Sequence, residues 1–291
     1  MSKGEARTVQ LIYNPTAGRH CDKRLAALRL GFEAGGAQVI LSECGPGADI
    51  VISKDAHDVC ALGGDGTLRH VAHALSRSGR AIPLSIYPGG TINLVHREIL
   101  SPLDPGEHAL RALSGASARD HYCVELNDTL FLACASVGPD SQAVAAVSSG
   151  LKRRVGRLAY AVAFLSVLLK WKRHEIRLVH DSGETRCEAF YVAKGRFFAG
   201  PWSFALDAEL GAPLLHVIAL DRARRRDYAR FLWALARRRR LDTVRGVTAF
   251  TCTELAAEAE ADAALPTQAD GDVVATLPIQ LKLMADPLSF C

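Results

Sequence analysis

Long apolar runs are what this chain of 291 residues most plainly lacks. The longest nearly uncharged one, Leu158 to Leu169, falls far short of the ~20 residues that cross a bilayer. The opening stretch, MSKGEARTVQLIYNP, has no apolar core of the kind a secretory signal needs, so none is expected. The 8 cysteines stand singly, without a CxxC pair. That argues against a disulfide framework or a clustered zinc site and for free thiols in a reducing cytoplasm. Internal repeats and low-complexity linkers are missing too. Acids are scarce in two places. Between Leu151 and Arg177, Lys152, Arg153, Arg154, Arg157, Lys170, Lys172, Arg173 and Arg177 face the single acid Glu175. Between Asp221 and Arg245 ten arginines face Asp221, Asp227 and Asp242. The net charge of +4 therefore resides in the second half. With 49% hydrophobic and 23% charged residues the composition is that of a globular protein, and the length suggests two domains, each able to bury a core.

What is present is a change of rhythm. Up to about residue 115, strand and helix signals alternate: Thr8–Tyr13, a helix over Lys23–Glu33, strands at Gln38–Leu41 and Val59–Leu62, a helix over Leu68–Leu75 and a strand at Ile82–Tyr87. Such alternation with short glycine loops implies a parallel sheet covered by helices on both faces, a three-layer α/β domain. Beyond it, Tyr122–Leu126, Leu130–Ala135, Glu175–His180, Arg186–Ala193, Leu214–Leu220, Val247–Thr253 and Val273–Leu283 read as strands of a mostly antiparallel β-sandwich or barrel. Helices are expected at Arg153–Lys172 and Arg224–Arg240. The stretch from Glu254 to Ala264 reads equally as helix or as strand plus loop. Domains are expected at 1–118 and 119–291, with the extreme C-terminus free to pack back on the first.

Three loops at the ends of first-half strands carry the chemistry: Asn14-Pro15-Thr16-Ala17-Gly18, Gly63-Gly64-Asp65-Gly66-Thr67 and Pro88-Gly89-Gly90-Thr91-Ile92-Asn93. Ligands of parallel sheets bind beyond the carboxyl ends of the strands. Glycines allow close backbone approach and positive φ, and a helix start offers unpaired N–H groups to a phosphate. A carboxylate at Asp65 repels phosphate unless a Mg²⁺ lies between them. A Gly-x-x-x-x-Gly-Lys-Ser/Thr sequence is lacking, which excludes a P-loop NTPase.

In order and spacing these loops resemble the catalytic domain of diacylglycerol kinases and their bacterial lipid-kinase relatives, a superfamily that includes sphingosine and ceramide kinases. The Gly-Gly-Asp-Gly element is shared with NAD kinases and phosphofructokinases; the Gly-Thr-x-Asn element favours the lipid branch. The resemblance continues through Arg119-Asp120, Ser136-Val137-Gly138 and Gln268-Ala269-Asp270-Gly271-Asp272. It implies an ATP-binding α/β domain followed by a β-rich lipid-substrate domain. It further implies that Asn14, Pro15, Gly18, Gly63, Gly64, Asp65, Gly66, Thr67, Gly90, Thr91 and Asn93 contact the nucleotide. Asp65, with Asp120 as a candidate helper through water, would support its magnesium. The last family motif usually reads Asp-Gly-Glu; here Asp272 stands one methylene shorter, and Asp272 or Asp270 would take the proton from the lipid hydroxyl. Some relatives carry acids near residues 200–213 for an accessory magnesium; Asp207 and Glu209 are the candidate substitutes here, but a full second site is not expected.

The implied activity is ATP- and Mg²⁺-dependent phosphoryl transfer to diacylglycerol or a similar lipid alcohol. A sphingoid or other lipid alcohol, or a soluble acceptor such as NAD, is the enzymatic alternative. A nucleotide-binding membrane sensor without turnover is the other. The basic segments 151–173 and 222–240, with Tyr160 and Trp171 near the ends of the first, suit an anionic membrane surface and a cytoplasmic, peripherally bound protein. No nucleic-acid recognition module is apparent. His70 and His73 share a helix face without a metalloprotease pattern, and Arg97 is a candidate phosphate contact.

Overall fold

The structure is a computed structural model, and it describes residues 7–17, 21–45, 49–146, 164, 166–168, 170–260 and 263–291. The chain divides into two compact units, one running to His121 and including Asp286–Cys291, the other Tyr122–Ala285. Most of the expected helix Arg153–Lys172 and its apolar centre lie outside the described residues, as does Gly18.

The first unit is built on β1 (Thr8–Tyr13), β2 (Gln38–Glu43), β3 (Asp58–Gly63) and β4 (Leu84–Pro88), all parallel, in the order β2-β1-β3-β4. The central strands are apolar on both faces because helices cover both. Val9, Leu11, Cys60 and Leu62 pack against Leu28 and Phe32 of α1 (Asp22–Ala34) and against Ala109 and Ala112 of α4 (Pro105–Ser114). The alternate residues Val59 and Ala61 are equally buried, and α2 (Asp65–Arg77) lies against β3. The start of α4 is fixed locally: Asp104 accepts from the Glu107 N–H at 2.9 Å, and Pro105 occupies the first turn. α3 (Leu94–Ile99) follows the loop after β4. Two short strands complete the sheet, β5 (Arg119–His121) and the C-terminal Leu288–Phe290, which lies between β4 and β5 and pairs parallel with the former.

The second unit holds two six-stranded antiparallel sheets. One comprises β6 (Val124–Leu126), β7 (Thr129–Phe131), β9 (Ile176–His180), β10 (Gly183–Cys187), β14 (Glu254–Ala259) and β17 (Ile279–Leu283). The other comprises β8 (Cys134–Val137), β11 (Ala189–Ala193), β12 (Leu215–Leu220), β13 (Val247–Cys252), β15 (Pro266–Ala269) and β16 (Asp272–Thr276). Their inner faces share one core, with Ile176, Leu178, Phe190, Val192, Val217, Leu255 and Leu281 among its members. β11 is buried on both sides, since Tyr191 and Ala193 point away from that core. They join a second cluster with Tyr228, Phe231 and Leu235 of α6 (Arg225–Ala236). α5 (Pro139–Ala146) follows β8.

Four expectations change here. The run Leu130–Ala135 is two strands, β7 and β8, which belong to different sheets and part at Leu132-Ala133. The run Arg186–Ala193 is two strands, β10 and β11, which belong to different sheets and meet at Glu188. The run Val273–Leu283 likewise divides into β16 and β17 around Leu277-Pro278, where proline has no N–H for a ladder. Buried or half-buried apolar residues continue on both sides of all three crossings, so the pattern does not reveal them. The open stretch from Glu254 is a strand. Leu255 and Ala257 are buried while Glu254 and Glu258 are exposed, and a period of two decides for β.

Candidate functional site

In the first unit the three loops follow β1, β3 and β4, adjacent parallel strands, so they stand side by side at one edge of the sheet. Their backbones touch. The Gly89 N–H donates to the Gly63 carbonyl at 2.6 Å, and the Asn14 N–H to the Leu62 carbonyl at 3.3 Å. A Cβ on Gly90 would lie 2.6 Å from the Gly64 Cα, and one on Gly63 would lie 2.4 Å from the Thr67 hydroxyl. Glycine is thus required for close approach. None of Gly63, Gly64, Gly66, Gly89 and Gly90 has positive φ, which corrects half of the reason offered for them from sequence. The left-handed residue is Asn93, at φ 52°. Its side chain clasps the loop, accepting from the Gly90 N–H at 2.9 Å and donating to the Gly90 carbonyl at 3.0 Å.

Asn14 organises the first loop. Its Oδ1 accepts from the Thr16 N–H at 2.9 Å and the Thr16 hydroxyl at 2.8 Å, and its Nδ2 donates to the Thr67 hydroxyl at 3.4 Å. Pro15 sits in this turn, and Thr91 is exposed. Helix α2 begins at Asp65 after Gly64, and no side chain caps it, so its first turn presents main-chain N–H groups and the positive dipole end. Asp65 is buried, and its Oδ1 accepts from the Val95 N–H at 3.3 Å. A neighbour passed over in the sequence is Arg24 of α1. Its guanidinium donates to the Pro88 carbonyl at 3.1 Å and sits 5.2 Å from the Tyr87 ring centroid, bringing a positive charge to the loop after β4. One arginine on a helix gives no sequence signal of that placement. Arg97 instead donates to the Ile92 carbonyl at 3.1 Å.

Among the described residues no three or more His, Cys, Asp or Glu side chains are grouped to hold a metal. Asp120 is exposed on β5, across the C-terminal strand from β4. The donor set around Asp65, one carboxylate next to uncapped N–H groups, nevertheless fits magnesium. That ion is usually held by one or two carboxylates together with phosphate oxygens and water.

In the second unit Asp270 and Gly271 form the two-residue turn joining β15 to β16, with φ of 49° and 89°. Left-handed φ at both central positions is what a tight Asp-Gly hairpin turn demands. The Asp270 carboxylate faces backbone donors: it accepts from the N–H groups of Leu132, Ala133 and Cys134 at 2.8, 2.9 and 3.1 Å. Asp272, the first residue of β16, is only partly buried. A chain of polar groups lies behind this turn. The Gly271 N–H donates to Gln268 Oε1 at 3.0 Å, Gln268 Nε2 donates to the Ser136 hydroxyl at 2.9 Å, and Ser136 donates to Asp140. Burial pushes the Asp140 carboxyl up to about 6, against the Ser136 hydrogen bond that lowers it. Gln268, Asp140 and Lys194 carry polar roles that the sequence reading did not assign.

The acids of the 200–213 region do not assemble a second metal site among the described residues. Asp207 pairs with Arg240 at 2.9 Å. The carbonyls of Glu209 and Leu210 accept from the ammonium of Lys194, 0% exposed, at 2.9 and 2.7 Å, so an internal cation occupies that loop.

A parallel sheet whose loops after β3 and β4 meet through glycines, joined in one chain to a double antiparallel sheet with a tight acidic hairpin, defines a two-unit α/β-plus-β protein. Residues 8–124 match the diacylglycerol kinase catalytic domain, and residues 133–290, more than half of the chain, match the YegS C-terminal NAD kinase beta sandwich-like domain. The chain belongs to the family defined by that C-terminal domain, here preceded by a match to the diacylglycerol kinase catalytic domain. A Pseudomonas aeruginosa protein named "Probable lipid kinase YegS-like" is 34% identical over 176 residues, 60% of this chain and 49% of that one. A Bacillus subtilis diacylglycerol kinase is 25% identical over 233 residues, 77% of each. A crystal structure of a diacylglycerol kinase from Bacillus anthracis shares the fold, with a TM-score of 0.75 at 16% identity over 99% of this chain and 98% of that one. The chain spans about half the length of the Pseudomonas relatives, 49% of one and 43% of another.

Proposed function

We propose that the protein is a lipid kinase that transfers the γ-phosphate of ATP, with Mg²⁺, to the hydroxyl of diacylglycerol or a similar lipid alcohol. The observation that carries this reading is the glycine edge, where the loops after β3 and β4 pack backbone to backbone beside an uncapped helix start and Asn14 of the first loop reaches the Thr67 hydroxyl. Main-chain N–H groups of Gly64, Gly66 and Thr67 hold the nucleotide phosphates, with Asn14, Asn93 and Gly90 keeping the loops in register and Arg24 adding positive charge. Asp65 holds the magnesium, which when bound neutralises phosphate charge; Asp120, exposed on an edge strand, is given no part in this. Asp272 is the base for the acceptor hydroxyl. Asp270 positions it, because its own oxygens are committed to three backbone donors.

We place the protein at an anionic membrane surface through the arginines of 222–240. The apolar stripe of α6 is not the lipid face, since Tyr228, Phe231, Ala234 and Leu235 are core. Its outer face carries Trp233, 58% exposed, with the Arg237 guanidinium 4.3 Å from its ring centroid, an interfacial aromatic among cations.

The test is transfer from γ-labelled ATP to diacylglycerol, monoacylglycerol, sphingosine, ceramide and undecaprenol in mixed micelles, with NAD in buffer. Labelled lipid that disappears with Asp65→Asn is the expected result and names the acceptor. Label on NAD alone, or on no acceptor while ATP still binds, contradicts the lipid-kinase reading and favours a soluble-acceptor kinase or a sensor respectively.

A further inference from the structure

Behind the Asp270-Gly271 turn runs a chain of polar side chains to which none of the roles above gives a task. Gln268 of β15 and Ser136 of β8 are register partners, so their side chains leave the sheet on one face and meet there. Both are buried, and Asp140 of α5 closes the chain. Asp140 is half-buried as a residue, but its Oδ1 is shut off from solvent. Each link has a direction. Ser136 donates its single hydrogen to the Asp140 carboxylate, which leaves only lone pairs for Gln268. Gln268 therefore turns Nε2 to Ser136, at 2.9 Å, and Oε1 to the Gly271 N–H, at 3.0 Å. With the amide reversed, its NH₂ would meet the Gly271 N–H donor against donor. The carboxylate thus sets which way the amide stands, and the amide holds the residue immediately before Asp272. The Asp270 carboxylate ties the same turn to residues 132–134, so the hairpin is held at two points.

The titratable groups that face Asp140 from β11 and α6 are Tyr191 and Tyr228, with hydroxyls 2.6 Å apart. Burial and the Asp140 charge push both phenols well above 10, so they stay neutral where Asp140 titrates, near 6. We propose that Asp140 is a positioning residue for phosphoryl transfer, seating Asp272 through Ser136, Gln268 and the Gly271 N–H. The role rests on the reading of Asp272 as the base, and the experiment tests the chain and that reading separately.

In the sequence Asp precedes Gly at Asp65-Gly66 and Asp270-Gly271 alone. Labelling the Asp carbonyl carbon and the Gly nitrogen therefore selects two amide peaks, and Asp65→Asn removes one and assigns Gly271. The Gly271 shift is followed from about pH 4.5 to 8. The parent is expected to titrate with a midpoint of about 6. Asp140→Asn, which keeps an acceptor for Ser136 but carries no titrating group, is expected to be flat. Ser136→Ala cuts the chain and is expected to be flat as well. If it does not fold by circular dichroism, Gln268→Met, which removes both amide ends, takes its place. A flat parent overturns the proposal. So does a midpoint that survives Asp140→Asn, which belongs to another group, or one that survives the cut, which reaches the turn through space.

Turnover supplies the second arm. Ser136→Ala is expected to lower kcat about tenfold or more and to leave KM for ATP within about twofold. In an Asp272→Asn background the same substitution is expected to cost less than about twofold, because the group it seats is gone. Equal loss in both backgrounds overturns the positioning role alone. An Asp272→Asn variant that transfers phosphate as the parent does overturns the reading of Asp272, and the proposal with it, whatever Gly271 shows.

Discussion

Two acids two residues apart, Asp270 and Asp272, show how a family motif separates into different physical roles. Asp270 is a backbone anchor: its carboxylate accepts three N–H groups from residues 132–134 and its own φ is left-handed. Asp272 is partly exposed at the start of a strand. Asp270→Asn replaces an acceptor oxygen by an NH₂ group facing donors, and is expected to cost about 2–4 kcal/mol in urea unfolding. Asp272→Asn should leave unfolding within about 0.5 kcal/mol and lower kcat by roughly 10²–10⁴. Equal stability losses in the two would return them to a single structural role. The motif was legible in the sequence, but this division was not, because the three partners of Asp270 lie more than 130 positions away along the chain. Lys194 and Arg24 were illegible for the same reason. A lysine ending a strand and an arginine on a helix look ordinary until the fold brings carbonyls to them.

At the scale of elements, the alternation of strand and helix in the first half and of strands in the second was plain. Register-bearing signals such as Gly-Gly-Asp-Gly placed the loops at strand ends. What periodicity did not show was where a strand leaves one sheet for the other, at Leu132-Ala133, at Glu188 and at Leu277-Pro278, since inward-facing residues continue across these points. The glycine edge yields a direct prediction. Gly90→Ala puts a Cβ 2.6 Å from the Gly64 Cα and 2.7 Å from Asn93 Oδ1, so ATP affinity by calorimetry should fall at least tenfold. Gly45→Ala, where a Cβ meets nothing within 4 Å, should bind ATP as the parent does. Helix α6 yields another. Co-sedimentation with anionic liposomes should fall as salt rises from about 0.05 to 0.5 M, and Trp233→Ser should lower it at any fixed salt. Binding that is insensitive to salt would exclude docking through the arginines.

For the molecule as a whole, two buried titratable groups bend stability with pH in opposite directions. Burial holds the His108 imidazole, between Phe32 and Tyr87, down to about 4, so the stability it contributes is present above its unfolded value of 6.5 and is lost as pH falls toward 4. Burial pushes Asp140 up to about 6 from 3.8, so its own contribution is most favourable below pH 3.8 and falls by on the order of 3 kcal/mol as pH rises through 6. Asp140→Asn should therefore raise the melting temperature at pH 7.5 and leave it nearly unchanged at pH 3.5. A gain of equal size at both values would refute a buried ionised Asp140.

The proposed transfer to a lipid hydroxyl requires both Asp65 and Asp272. The decisive measurement follows the γ-phosphate on the best acceptor of the panel, by phosphorus NMR, for the parent, Asp65→Asn and Asp272→Asn under matched folding. A lipid phosphomonoester growing as the γ-phosphate disappears, and lost in both variants, is the expected result. Disappearance of γ-phosphate only into inorganic phosphate, or a phosphomonoester that forms equally in Asp272→Asn, would contradict it.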